Sequence, residues 1–139
     1  MATTTATITL ASSDIADNAI SISNTMTLTT AGTDTGITET TGLGRKKTVT
    51  GTNTVLLDSG AGIAVDVTAD KSAKVYIKNV NDRGDGTKFV NILLAAVEIG
   101  RLYGGDWMLI PWSGGSGKDI EFTASDTTET TLEYTCFYE

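Results

Sequence analysis

Apolar and polar residues alternate one by one along several short segments of this chain. In residues 74–80, Val75 and Ile77 fall on one side of an extended backbone, and two lysines and Tyr76 fall on the other. Because successive side chains of a β-strand point to opposite faces, this period of two predicts half-buried strands. The same alternation recurs in residues 63–68, 119–124 and 130–138. The pattern therefore predicts an all-β protein.

The predicted strands follow one another closely, with turn-forming residues between them. Further strands are predicted in residues 5–10, 19–30, 48–58 and 107–112. Pro111 confines the last of these to the edge or the end of a sheet. Residues 89–99 are the most apolar run, and the turn residues on both sides favour one strand buried on both faces over a short helix. About eight strands at this spacing predict a single-domain β-sandwich or jelly roll.

The first part of the chain is rich in threonine, since residues 1–54 contain 18 of the 26 threonines. The branched Cβ of threonine disfavours helix and suits an exposed strand. Residues 31–44 contain four glycines and offer little that a core could bury. We expect residues 1–44 to form either edge strands or an extended arm that orders against a neighbour, and residues 45–139 to form the sandwich core.

The charge of the chain limits the partners that it can bind. Seventeen acidic and ten basic residues give a net charge of −7, which repels the phosphates of nucleic acids. The apolar runs are shorter than the roughly 20 residues that span a bilayer, and the N-terminus lacks the pattern of a signal peptide. We therefore expect a protein that is made and soluble in the cytosol, with neither nucleic acid nor membrane as a partner.

Side chains for catalysis or metal binding are scarce. The chain has no histidine, which excludes the Ser-His-Asp and Cys-His arrangements. Its single cysteine, Cys136, can form no intrachain disulfide and no cysteine-based zinc or iron–sulfur site, and the alternation around it predicts a small buried hydrophobe. A carboxylate pair for glycoside hydrolysis stays open, although few aromatic residues are present to line a sugar cleft. We expect no cofactor, no metal and no enzymatic activity.

A glycine-rich segment, GGSGK at residues 114–118, is similar to the end of a phosphate-binding loop. That loop requires a glycine five positions before its Gly-Lys pair and a Ser or Thr after the lysine. Trp112 and Asp119 occupy these two positions, and no helix is predicted to follow. We therefore expect the glycines to form a hairpin turn between the strands at 107–112 and 119–124.

Residues 81–92 have the composition of a calcium loop but not its pattern. The third and twelfth positions, where such a loop needs oxygen ligands, hold arginine and isoleucine. The favoured interpretation is an ordinary turn. Calcium held irregularly by Asn81, Asp82 and Asp85 is the alternative.

The remaining candidates are residues that could form an interface. Trp107 and Trp112 lie five apart in one predicted strand and therefore point to opposite faces, so that one is exposed and could anchor a partner. The alternative is that both lie in the core. The basic run at residues 45–47 is either a solvated turn or a contact for an acidic neighbouring subunit. The candidate interface comprises Trp107, Trp112, Arg101, Tyr103, Arg45, Lys46 and Lys47.

Three segments together resemble the small structural proteins of tailed bacteriophage particles, in particular head-decoration (cement) proteins. They are residues 54–80, 98–112 and 119–139, so the resemblance covers roughly the last 90 residues. It consists of patterns of strand and turn and includes no catalytic signature.

The resemblance implies a β-sandwich or jelly-roll protein, often trimeric, that is made in the host cytoplasm and seated on the outer capsid shell. Its partners would be the major capsid protein and copies of itself, and its role would be to bridge capsomers. One alternative is a tail-tube, baseplate or fibre-associated protein. A second is a carbohydrate- or cell-binding β-sandwich module in which a tryptophan stacks on a sugar, and a carboxylate-based glycosidase ranks last.

Overall fold

The computed structural model describes residues 3–13, 20–30, 39–48, 52–58, 73–84, 88–115, 117–125 and 129–138. Within these ranges the chain forms strands joined by turns. The strands are β1 (Thr3–Ser12), β2 (Ile20–Thr30), β3 (Glu39–Thr40), β4 (Gly44–Thr48), β5 (Thr54–Leu57), β6 (Ala73–Asn79), β7 (Phe89–Leu94), β8 (Val97–Tyr103), β9 (Trp107–Trp112), β10 (Ile120–Ala124) and β11 (Thr130–Tyr138). The all-β prediction is confirmed. The described ranges contain no helix that could cross a membrane.

Two antiparallel sheets form the body of the protein. The four-stranded sheet has the order β5-β10-β7-β8. The five-stranded sheet has the order β3-β11-β6-β9, and β4 pairs with β11 beside β3. Both sheets contribute to one core, which confirms the predicted single-domain sandwich. Pro111 lies in β9, an edge strand of the five-stranded sheet, as its missing N–H group requires.

The core lies between the two sheets and follows the alternation of the sequence. In β6, every second residue is buried, including Val75 and Ile77. Ile120 and Phe122 of β10 meet them from the other sheet, and neither side chain is accessible to solvent. The same core contains Leu56, Leu57, Ala73, Val90, Ile92, Leu102, Trp112, Leu132 and Cys136.

The apolar run at residues 89–99 is a hairpin and not the single strand that its composition predicts. Ala95 and Ala96 connect β7 to β8 with φ angles of +52° and +64°. Positive φ at both central residues is the geometry of a tight two-residue hairpin turn, which asparagine and glycine usually form. Alanine does not favour positive φ and is not a turn signal, so no local pattern indicates this reversal.

Two other predicted connections differ from the structure, because the chain crosses between the sheets there. The sequence predicts one strand over residues 48–58, but Thr48 ends β4 in one sheet and β5 begins at Thr54 in the other. A 2.6 Å hydrogen bond joins the two threonine hydroxyls. The glycine-rich turn after Trp112 leads from β9 to β10, which also lie in different sheets, so it is not a hairpin turn. The strand predicted at residues 63–68 lies outside the described residues.

Strands β1 and β2 form a separate antiparallel hairpin. Among the described strands they pair only with each other, with Leu10 opposite Ile22 and Ala6 opposite Met26. β3 pairs with β11. Within residues 1–44, the hairpin is therefore a sheet of its own, whereas β3 belongs to the five-stranded sheet.

Candidate interaction surfaces

The outer side of the five-stranded sheet carries aromatic and aliphatic side chains. Because the alternate residues of β6, β9 and β11 point into the core, their neighbours point outward in register. Tyr76 lies opposite Leu109 on one side and Thr135 on the other, and Lys78 lies opposite Trp107. We call this surface the outer aromatic face, and it comprises Tyr76, Lys78, Trp107, Leu109, Thr135 and Phe137.

The two tryptophans lie on opposite sides of the sheet, as their odd spacing predicts. Trp107 is 51% exposed, and its ring centroid lies 6.3 Å from that of Tyr76 at an interplanar angle of 33°. Trp112 is 3% exposed and packs in the core, where its indole N–H donates a 2.8 Å hydrogen bond to the carbonyl of Lys118. The alternative of two core tryptophans is therefore wrong.

A row of alternating charges crosses the outer aromatic face beside Trp107. Arg45 of β4 lies opposite Glu133 of β11, which lies opposite Lys78 of β6. The guanidinium group of Arg45 donates two hydrogen bonds to one carboxylate oxygen of Glu133, at 3.1 and 2.9 Å. Partial burial, and to a smaller extent the charge of Glu133, raises the pKa of the Tyr76 phenol. The outer aromatic face thus has an apolar part bordered by paired charges.

The basic run at residues 45–47 is part of strand β4, so the prediction of a solvated turn is wrong. Lys47 forms a 2.6 Å ion pair with Glu129, and Arg45 is paired with Glu133. Lys46 is half-buried and lies opposite Leu132. Two of the three basic groups therefore have acidic partners within their own chain.

Arg101 and Tyr103 lie on the outer side of the other, four-stranded sheet. Tyr103 packs beside Phe89 with 5.5 Å between the ring centroids, and the guanidinium group of Arg101 lies 4.6 Å from the Phe89 centroid. Arg83 stands 5.8 Å from the centre of the Tyr103 ring. The candidate interface residues therefore do not form one surface, because the two sheets separate them and Trp112 is in the core.

A cavity of about 410 Å³ separates the outer aromatic face from strand β1. Thr5, Ala6, Thr7 and Ile8 line one side of the cavity, and the outer aromatic face lines the other. The hairpin therefore borders this face without filling the space above it, and Trp107 stays half-exposed.

The hairpin has two chemically different faces, which sequence reasoning did not include in the candidate interface. Residues directly opposite in an antiparallel pair share a face. One side, the apolar hairpin face, comprises Ala6, Ile8, Leu10, Ile20, Ile22 and Met26, together with two polar residues, Ser12 at its end and Asn24 opposite Ile8. The other, the hydroxyl hairpin face, comprises Thr5, Thr7, Thr9, Ser21, Ser23, Thr25 and Thr27, with Ala11 opposite Ser21. The five large side chains of the apolar hairpin face are 37–53% exposed.

Groups with catalytic or metal-binding chemistry are few in the described part of the chain. Cys136 is fully buried, and burial raises the pKa of its thiol to about 12. Such a thiol stays protonated at neutral pH, as expected for a core residue. Among the described residues, no three histidine, cysteine or acidic side chains are placed to hold a metal ion, and Asp85 lies outside those residues.

No protein-family model matches the chain, and no curated protein aligns with it significantly. A functional proposal therefore depends on the sheet surfaces and on the hairpin.

Proposed function

We propose that this protein is a structural component of a bacteriophage particle that decorates the capsid, binds the outer shell and bridges neighbouring capsomers. The observation that carries the proposal is the outer aromatic face with its half-exposed Trp107. A tryptophan held on a sheet is the kind of anchor that supplies most of the energy of a protein–protein interface. The resemblance of the sequence to head-decoration proteins supports the capsid as the partner.

The surroundings of Trp107 support a protein partner. Phe137, Leu109 and Tyr76 provide an apolar centre, and the ion pair between Arg45 and Glu133 lies at its border. Protein interfaces combine a centre that is rich in aromatic residues with a polar rim in this way. Since the net charge is −7, binding to nucleic acid phosphates is disfavoured.

The architecture also suits a mechanical role. A sandwich with a fully buried core transmits force between its surfaces with little deformation, because interiors are close-packed. A decoration protein binds in many copies. Once a particle is partly covered, neighbouring copies raise the effective affinity of each contact. Individually modest contacts at the outer aromatic face are then sufficient to hold a shell together.

Binding to isolated phage heads that lack their decoration protein would test this function. We expect Trp107→Ala to weaken binding at least ~30-fold, because loss of a hot-spot residue costs about 2 kcal/mol or more. Tyr103→Ala is the matched control, since it removes an aromatic ring from the outer side of the other sheet and should change binding less than about threefold. Both variants should retain the fold, which circular dichroism would verify.

Two results would contradict the proposal. One is that the wild-type protein does not bind heads at any accessible concentration. The other is that the two variants bind heads equally well. Binding to purified tails in place of heads would move the assignment to the tail or baseplate.

A carbohydrate-binding module is the second candidate, because Trp107 and Tyr76 border an open cavity of about 410 Å³. Aromatic rings beside such a cavity could stack on the apolar face of a sugar ring. A glycan array would test this function. A specific glycan signal that disappears in Trp107→Ala, combined with an absence of head binding, would favour the module over the capsid protein.

A further inference from the structure

The hairpin β1–β2 exposes an apolar surface that the described part of its own chain does not cover. Its five large apolar side chains keep between 37% and 53% of their surface accessible. The five are Ile8, Leu10, Ile20, Ile22 and Met26. The pairing of the two strands places them on one face, which also carries the polar residues Ser12 and Asn24. Contiguous apolar surface of this kind typically marks a contact with another molecule.

The hairpin also needs additional contacts for its stability. A two-stranded hairpin is marginally stable in water, and it usually requires a further layer against its apolar side. Among the described strands, β1 and β2 pair with no other strand. The outer aromatic face borders the hairpin at Thr5–Ile8, where the two line a cavity of about 410 Å³. The apolar side chains Leu10 and Ile22 remain 53% and 46% exposed, so they lack that layer.

We propose that the apolar hairpin face binds the same face of a second copy of this chain. Neither β1 nor β2 contains an acidic or basic residue, although each chain carries a net charge of −7. Copies of this protein repel one another over most of their surface, and the hairpin is a place where two copies meet without bringing like charges together. A partner recognised by charge would find nothing to pair with on these strands.

The geometry of the hairpin is compatible with this self-association. Two hairpins that pack face to face form a small sandwich about 10 Å thick, in which isoleucine, leucine and methionine side chains interdigitate. Each copy offers the same patch, so the contact is reciprocal and closes on itself. The hydroxyl hairpin face remains in water on the outside, where Thr7 and Thr25 already hydrogen-bond to each other across the strands at 2.9 Å.

The size of the face predicts an association of moderate strength. Ten residues at about 3.3 Å each give the length of a strand, and each of the two strands occupies a width of about 4.8 Å, so one hairpin face covers roughly 320 Å². Stable interfaces bury about 800 Å² per partner. We therefore expect the mass of the protein to rise with concentration, with further contacts needed before the assembly becomes permanent.

The inference deepens the proposed function by identifying one partner as the chain itself, but it does not require a capsid. A protein that binds phage heads and stays monomeric would retain the proposed function and reject the inference. A protein that self-associates through the hairpin and binds no heads would support the inference and reject the proposed function.

Light scattering on the full-length protein over a range of concentrations tests the inference. The wild type should show a mass that rises from 14.5 kDa towards twice that value. Leu10→Lys should hold the mass at that of one chain over the same range. The matched control is Thr9→Lys, which adds the same charge at the adjacent position of β1 but on the hydroxyl hairpin face, and it should assemble as the wild type does.

A second pair, Ile22→Lys and Ser23→Lys, repeats the comparison on β2. Near-ultraviolet circular dichroism, which detects the packing of the buried Trp112, should show that all four variants keep the sandwich. The inference is overturned if the wild type stays a monomer, or if lysine on the two hairpin faces has the same effect on mass. It is also overturned if Trp107→Ala dissociates the assembly while Leu10→Lys does not.

Discussion

The hairpin β1–β2 and the strand β6 have the same alternating pattern but very different surroundings. In β6, Val75 and Ile77 are completely buried, because the four-stranded sheet covers that side. In the hairpin, Leu10 and Ile22 occupy equivalent alternating positions and remain about half exposed. The difference does not come from the strands themselves. It comes from the presence or absence of a second sheet facing them.

This contrast shows that an alternating strand pattern and burial of its apolar side are two separate properties. Alternation specifies an extended backbone and a preferred side, since neighbouring side chains point to opposite faces. Burial requires a second layer, which the sandwich provides for β6 and the described chain does not provide for the hairpin. The hairpin is therefore the region where assembly with another molecule can still bury apolar surface.

Truncating the same residue type in the two regions gives the largest expected difference. Ile77→Ala should lower the free energy of unfolding by about 2–5 kcal/mol, because it removes buried methyl groups and leaves a cavity. Ile22→Ala should change it by less than about 1 kcal/mol when measured at low protein concentration, because this side chain is partly solvated already. Urea unfolding monitored by tryptophan fluorescence would measure both. Equal losses in the two variants would show that the hairpin is part of the same cooperative core.

A second comparison sets the buried thiol of Cys136 in the core against an exposed position in the hairpin. It begins with the pKa of the Cys136 thiol. The thiol pKa of Cys136 is raised from its usual value of 9.0 to about 12 by burial, so the folded state keeps a proton that the unfolded state loses. Its contribution to stability is complete below pH 9 and is lost as the pH rises from 9 towards 12. In that range the free energy of unfolding should fall by up to about 1.4 kcal/mol per pH unit more than in Cys136→Ala.

The rate of alkylation at pH 8 would compare a buried thiol in the core with an exposed thiol in the hairpin. Cys136 should resist alkylation in the native protein and react only after unfolding. A thiol introduced at the exposed Ser23 of the hairpin should react at the rate of a free peptide thiol at low protein concentration. Rapid native reaction of Cys136 would contradict the close packing of the core around β11.

The smallest expected effect lies at the turn between β7 and β8, where the sandwich imposes an unfavourable backbone conformation. Ala96 has a φ angle of +64°, in a region that costs an ordinary L-residue about 1 kcal/mol. Ala96→Gly should raise the free energy of unfolding by about 0.5 kcal/mol, since relief of strain exceeds the added flexibility of the unfolded chain. Ala73→Gly in β6 is the control and should lower stability. A loss of stability in Ala96→Gly would mean that the turn is unstrained.

The parts of the fold that sequence analysis predicted correctly are those with a local physical cause. The alternation in β6, β10 and β11 identified their buried sides, and the missing N–H of Pro111 placed β9 at an edge. The odd spacing of Trp107 and Trp112 predicted opposite orientations, and the structure shows that Trp107 is the exposed one. The turn at Ala95 and Ala96 was missed because neither residue favours positive φ.

The candidate interface was predicted less well, because membership of a surface depends on which strands pair. Arg45 was grouped with Arg101 by chemistry, but their strands belong to different sheets. Arg45 faces Glu133, which is 88 residues further along the chain, and no local pattern indicates that pairing. The apolar hairpin face was overlooked for a related reason, since the sequence shows its alternation but not the absence of a covering layer.

The sequence by itself determined the all-β class, the inward side of the regular strands, the opposite orientation of Trp107 and Trp112 and the structural character of Cys136. Each of these follows from the residue type and from the two-residue period of an extended chain. Only the tertiary structure decided the division into two sheets, the crossings after Thr48 and Trp112, and the isolation of the hairpin. Those features depend on contacts between residues far apart in the chain, where the gain from burying whole faces outweighs local preference.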